Sequence, residues 1–211
     1  MTIRVLLADD QAAIRQTFRA VVDAQPDMTV VAEAATGASA VAQALHLRPD
    51  VCLADIRMPK GDGLSVVEQL AGPQVAEPLK VIVVTTFDLD EYVHTALRNG
   101  AAGFVLKRSG PALLVEAIRA AAAGDVLISP QLTTRLFSRI REVPGDPRWA
   151  TLTAREQEVA ELVADGGTNA DIAEQLVLSP GTVKNHLAAI QRKLGARNRV
   201  GIAAAVWSQR A

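Results

Sequence analysis

Val51-Cys52-Leu53-Ala54-Asp55 is an apolar run of strand length that ends on a carboxylate. Near the N-terminus Ile3-Arg4-Val5-Leu6-Leu7-Ala8 does the same, ending on Asp9-Asp10. Short, nearly continuous apolar runs suit strands buried on both faces of a parallel sheet. Working outward, further strand patterns lie at 28–34, 79–85 and 103–106, and helical patterns at 11–24, 37–47, 64–70, 90–99 and 111–123. In the third helix Val66, Val67 and Leu70 share a face. Strict strand–helix alternation predicts an α/β unit over residues 1–124, a (βα)5 doubly wound parallel sheet with helices on both sides.

The chain has 211 residues, close to half of them apolar, which is enough for one full core and a smaller second one. Every apolar stretch is interrupted by charge before it could span a bilayer, so no membrane partner is expected. Met1-Thr2-Ile3-Arg4 runs straight into a strand pattern, and no signal peptide is expected. The single cysteine, Cys52, sits inside a strand, which excludes a disulfide framework and points to the cytoplasm. Net charge is −1, but no acid follows Glu174, whereas Lys184, Arg192, Lys193, Arg197, Arg199 and Arg210 do. A locally basic tail is compatible with a polyanionic partner or with a solvated helix face.

Gly124-Asp125 closes the first unit, and Val143-Pro144-Gly145-Asp146-Pro147 reads as a linker. A helix is expected over 131–141 within this connecting segment, 125–150. From 151 to 211 the pattern is purely helical. Thr153 with Glu156 three residues on forms a capping box. Gly166-Gly167 stops that helix, and Thr168 or Asn169 starts a short one. Ser179-Pro180 opens the next, with serine as N-cap and proline at the first helical position. Gly195 stops it, and Asn198 can start the last helix. The short helix, tight connection and longer helix predict a helix-turn-helix inside a small all-α four-helix unit.

In open α/β sheets ligands collect at the C-terminal ends of strands. Asp9, Asp10 and Asp55 would converge there, and three carboxylates together call for a cation or a proton. Thr85 ends the strand at 79–85, and Lys107 follows the one at 103–106. A carboxylate surrounded by a hydroxyl, an ammonium and a Mg²⁺ ion can accept a phosphoryl group, since the cations and the hydroxyl neutralise its oxygens. Each residue taken singly also reads as a polar strand end meeting solvent. His46 and His94 have no partners at metal-ligand spacing, and zinc is not expected.

Asp9-Asp10, Asp55, Met58-Pro59, Gly63, Thr85, Phe104 and Lys107, in this order and spacing, resemble the receiver domain of two-component response regulators, a flavodoxin-like fold. The resemblance implies that Asp55 is phosphorylated. It implies that Asp10, Asp55 and the backbone carbonyl of Arg57 bind Mg²⁺, with Asp9 acting mainly through water. Lys107 would contact the phosphoryl group, Thr85 would be drawn to it, and Phe104 would reorient in step. Phe104 also reads as ordinary core. Gly63 resembles the glycine that permits the loop after Pro59. Arg108 stands where many receivers have proline, so a different loop is expected there. Arg57 and Thr86 flank the path of attacking water and are expected to slow loss of the phosphoryl group.

Advancing about 100° per residue from Val183 places Leu187, Ile190 and Leu194 within about 40° of it, as one buried stripe. The remaining surface carries Lys184, Asn185, Ala188, Gln191 and Arg192, cations and amides suited to phosphates and base edges in a major groove. Leu152-Thr153-Ala154-Arg155-Glu156, Asn169-Ala170-Asp171-Ile172-Ala173, Ser179-Pro180-Gly181-Thr182-Val183-Lys184-Asn185-His186 and Arg192-Lys193-Leu194-Gly195 resemble the LuxR-type DNA-binding domain. The resemblance implies that Lys184, Asn185 and Ala188 face bases and that Thr182, Gln191 and Lys193 contact phosphates. It implies that Val200, Ala203, Ala204 and Trp207 form a dimerisation face; packing within their own unit is the other reading.

Both halves together resemble a NarL/FixJ-type response regulator. The expected function is a cytoplasmic transcription factor that takes a phosphoryl group from a sensor histidine kinase and binds double-stranded DNA as a homodimer. It is not expected to be an enzyme. Two alternatives stay open: a regulator that is never phosphorylated, and an aspartate-based phosphatase, which the absence of an acid at Arg57 disfavours.

Overall fold

The computed structural model describes residues 2–86, 90–129 and 147–210. The helix expected over 131–141 lies outside the described residues.

The first lobe is a parallel sheet of β1 (Ile3–Ala8), β2 (Met28–Ala34), β3 (Val51–Ala54), β4 (Lys80–Thr85), β5 (Gly103–Leu106) and β6 (Leu127–Ile128), in the order β2-β1-β3-β4-β5-β6. Between the strands run α1 (Ala12–Asp23), α2 (Gly37–Leu47), α3 (Gly63–Ala71) and α4 (Asp90–Arg98), with α5 (Pro111–Ala123) after β5. The doubly wound sheet is therefore as expected, with one strand more. β6 is two residues long, too short for any alternation to show in the sequence, and it exists because β5 offers an edge: Gly103 and Phe104 pair with Leu127 and Ile128.

Alternate strand residues point to opposite sides of a sheet. Leu6, Ala8, Cys52, Ala54, Val81, Val83, Phe104 and Leu106 accordingly pack with the apolar faces of α2, α3 and α4. Val5, Leu7, Val51, Leu53, Ile82, Val84 and Val105 pack beneath α1 and α5. Burying side chains of this size stabilises by roughly 1.5–3 kcal/mol each, which is why the short strands need no alternating pattern.

The second lobe comprises a 3-10 turn at Pro147–Thr151 and four helices: α6 (Ala154–Ala164), α7 (Asn169–Gln175), α8 (Pro180–Leu194) and α9 (Arg199–Arg210). Thr153 and Glu156 cap α6 reciprocally, and Thr168 and Asp171 do the same for α7. Ser179 Oγ accepts from Thr182 N at 3.1 Å, and Pro180 occupies the first turn of α8. Val183, Leu187, Ile190 and Leu194 are buried, as their spacing predicts, against Val159, Val163, Ile172 and Ile202. No described helix is long and apolar enough to cross a membrane.

Candidate functional site

Neighbouring strands bring the acids together. β1 and β3 are hydrogen-bonded with Ala8 opposite Ala54, and Asp55 N donates to Ala8 O at 2.8 Å. The residues that follow each strand are thereby side by side, and one oxygen from each of Asp9, Asp10 and Asp55 lies within 4.8 Å of the others. Asp9 and Asp55 are 2 % and 5 % exposed, while Asp10 faces solvent.

Lys107 reaches in from the end of β5. Its Nζ donates to Asp55 Oδ2 at 2.9 Å and lies 2.6 Å from Asp9 Oδ2. The Asp9 contact is short but poorly directed, so that oxygen is charge-paired rather than hydrogen-bonded. Burial pushes the Asp9 carboxyl above its usual range, against the pull of Lys107. Burial also opposes charge on Lys107, but Asp9 and Asp55 outweigh it and hold the ammonium above its usual range.

These residues fit a divalent cation. Asp55 Oδ1 is buried and accepts no hydrogen bond among the described residues, and such an atom is costly unless something satisfies it. Three carboxylates against one ammonium leave a surplus of two negative charges when all are ionised. An all-oxygen donor set suits a hard ion.

Gly63 is required by close approach. A Cβ there would stand 2.3 Å from Asp55 O, and Gly63 N donates to Ile56 O at 2.9 Å. The turn after Asp55 is thus clamped against the acid's own backbone. The same loop receives the start of α2, where Ala38 N donates to Lys60 O at 2.8 Å.

Thr85, the last residue of β4, is fully buried opposite Leu106. Phe104 is fully buried opposite Val83, within the core under α2, α3 and α4. Arg57, two residues after Asp55, and Thr86, just after β4, are both exposed. Lys107, Arg108 and Ser109 form a single 3-10 turn, the local loop at the position of Arg108. Ser129, absent from the sequence reading, closes this corner: its Oγ accepts from Leu106 N at 3.1 Å and lies 3.2 Å from Ser109 Oγ.

In the second lobe Asn185 is exposed on α8, and Thr182 is half-buried with its Oγ1 2.9 Å from Ser179 Oγ. Lys193, read from sequence as a phosphate contact, is paired with Glu156 Oε2 at 2.6 Å. Lys193 chiefly, and the Thr153 backbone, hold the Glu156 carboxyl below its usual range. On α9, Ala203 is buried in the lobe's own core and Trp207 packs against it, whereas Val200 packs on the core of the first lobe. Ala204 is half-exposed.

Lys184 and Ala188 are exposed and Gln191 is half-buried. They line a cleft whose opposite wall is Lys80 and the end of α5, Ala122 to Gly124. The lobes are pinned on both sides of it. Asn198 Nδ2 donates to Leu97 O at 2.8 Å and Ala101 O at 3.0 Å, at the end of α4. Arg199 pairs with Asp125 at 3.1 Å, and Asn169 Nδ2 donates to Ala123 O at 3.2 Å. Arg199 also donates to Asn169 Oδ1 at 2.8 Å and to Gly167 O. Asn198 showed in the sequence only as a helix start; nothing local marks a side chain that bonds a backbone about a hundred residues away.

Two family models match the chain: the response regulator receiver domain over residues 5–119, and the bacterial regulatory proteins of the luxR family over residues 150–206. The transcriptional regulatory protein YxjL of Bacillus subtilis (strain 168) is 38 % identical over 201 residues, covering 93 % of this chain and 91 % of that one. LiaR of the same organism, also a transcriptional regulatory protein, is 37 % identical over 213 residues, covering 99 % and 97 %. Among solved structures, the response regulator ChrA of a heme-sensing two-component system aligns over 99 % of this chain and 98 % of its own, with 33 % identity and a TM-score of 0.54.

Proposed function

The chain belongs to the response regulators, with a receiver domain followed by a LuxR-type domain, and from that premise we propose that phosphorylation of Asp55 controls how it grips operator DNA. Residues 1–124 act as phosphoacceptor, 125–150 as the connection, whose Leu127–Ile128 joins the receiver sheet, and 151–211 as the DNA-binding unit, in the cytoplasm. The donor is a phosphohistidine on a sensor kinase. An oxygen of Asp55 attacks phosphorus, the P–N bond breaks, and the imidazole keeps the electron pair and regains a proton. The product is an acyl phosphate. Mg²⁺, held by Asp10, Asp55 and the Arg57 carbonyl with Asp9 through water, would neutralise charge on the transferred oxygens. Lys107 exchanges its bond to Asp55 for one to the phosphoryl group, and Thr85 donates to it.

The observation that carries this reading is the buried Asp55–Lys107–Asp9 cluster, with an orphaned Asp55 oxygen. A second supports the control step: Lys184, Ala188 and Gln191 of α8 border a cleft against the receiver, and Asn198 bonds the end of α4. Movement of Thr85 and Phe104 shifts α4, weakens that hold and releases the second lobe. Lys184, Asn185 and Ala188 then reach bases, and Thr182, Gln191 and Lys193 reach phosphates, Lys193 by leaving Glu156. Val200, Ala203, Ala204 and Trp207 contribute to a homodimer once Val200 leaves the receiver. Because the coupling is reciprocal, DNA also favours the phosphorylated form.

The test is acetyl phosphate with Mg²⁺ on the native chain and on Asp55→Asn, read by intact mass and by duplex-DNA affinity. Phosphoryl uptake and tighter DNA binding are expected only in the native chain. Uptake by Asp55→Asn, or uptake that leaves both DNA affinity and self-association unchanged, refutes the reading.

A further inference from the structure

The cleft between the lobes has a volume of about 250 Å³. Lys80, at the start of β4, and Lys184, on α8, both line it, and neither makes an ion pair among the described residues. Arg199 and Asn169 line it too, but their polar groups are engaged with Asp125, Ala123 and one another. Gln191 adds an amide with no hydrogen bond among the described residues. Three cations thus border the cleft, against the single carboxylate that Arg199 already uses.

The closed arrangement therefore brings two exposed ammonium groups, with no ion-pair partner among the described residues, to the walls of one open cleft. Like charges repel more strongly there than in bulk water, because protein replaces part of the solvent between them. Partial burial, and then the charge of Lys184, hold the Lys80 ammonium below its usual range. No acidic residue is among the described residues that line the cleft, and an anion entering from solvent would relieve the repulsion.

We propose that this cleft receives a compact oxyanion of the phosphate class carrying at least two negative charges, which bridges Lys80 and Lys184 and locks the two lobes closed. Size selects the occupant. Sites for drug-sized ligands span roughly 300–1,000 Å³, so this one suits inorganic phosphate or pyrophosphate better than a nucleotide. Lys184 cannot serve this anion and a DNA strand at once, so the anion acts as a negative effector. That consequence rests on the proposed DNA-reading role of α8; binding of the anion itself does not.

The probe is pyrophosphate, titrated by ³¹P NMR into the full-length, unphosphorylated chain in magnesium-free buffer at fixed ionic strength. Saturable binding is expected. Lys80→Ala should weaken it at least tenfold, and Lys80→Arg should retain it. Unsaturable binding, equal binding by the native chain and Lys80→Ala, or equally tight binding of citrate overturns the proposal. A second arm measures duplex-DNA affinity at the same ionic strength. Pyrophosphate should weaken DNA binding by the native chain at least threefold more than by Lys80→Ala. Equal weakening would mean simple competition for the DNA face, and would overturn the locking role. Were the chain to bind no DNA at all, the NMR arm would still decide whether the cleft holds the anion.

Discussion

Replacing Asn198 by aspartate exchanges one NH2 for one oxygen and tests what holds the lobes together. Asn198 uses both ends of its amide. Its Oδ1 accepts from Gly201 N at 3.0 Å, capping α9, and its Nδ2 donates to Leu97 O at 2.8 Å and Ala101 O at 3.0 Å. Aspartate keeps the cap, because the two residues cap helices about equally well. It loses both donations and sets a negative oxygen against two carbonyls. Each lost hydrogen bond is worth about 0.5–1.5 kcal/mol net, so the closed arrangement weakens by about 1–3 kcal/mol. At 1.4 kcal/mol per factor of ten, the closed–open equilibrium shifts roughly 5- to 150-fold. The contacts of Arg199 with Asp125 and of Asn169 with Ala123 remain and oppose full opening. The assay is duplex-DNA affinity of the unphosphorylated chain at fixed salt, with hydrogen exchange of the α4–β5 junction and of α9 on the same samples. Asn198→Asp should bind DNA more tightly without phosphorylation and exchange faster at the junction. Unchanged affinity together with unchanged protection would refute the assignment of Asn198 as a hold on the closed state.

Three further outcomes are expected. Gly63→Ala drives a methyl to 2.3 Å from Asp55 O, so the loop must move; a stability loss of at least about 2 kcal/mol, with weaker Mg²⁺ binding, is expected in denaturant titrations with and without the ion. Glu156 is held below its usual range by Lys193, so its contribution to stability is complete above the unfolded value, about pH 4.3, and fades as pH falls through the lower folded value; the melting-temperature gap between native chain and Glu156→Gln should be constant from pH 7 to 5 and narrow below that, and a gap that widens on acidification would contradict the sign. Arg57 and Thr86 are both exposed, and phospho-Asp55 should decay faster in Arg57→Asn, Thr86→Ala than in the native chain; equal or longer lifetimes in the variant would show that neither side chain shields the acyl phosphate.

The apolar runs ending at Ala8 and Ala54, the stripe of Val183, Leu187, Ile190 and Leu194, and the caps at Thr153 and Ser179 were legible in the sequence, which left the cap of α7 between Thr168 and Asn169. Each expresses a local rule: side-chain period, or a hydroxyl three residues from an orphan amide. The convergence of Asp9, Asp10 and Asp55 needs one step more, that β1 and β3 are neighbours in the doubly wound order and paired with Ala8 opposite Ala54. Tertiary structure alone settled the rest. Lys107 bonds Asp55 and approaches Asp9, Lys193 pairs with Glu156, Ser129 closes the corner beside Lys107, and Lys184, Ala188 and Gln191 of α8 line a cleft with Lys80. The physical reason is distance along the chain. A lysine's charge and a glutamine's amide are written in the sequence, but the partner that neutralises or strands them is chosen by packing between segments that no local pattern connects.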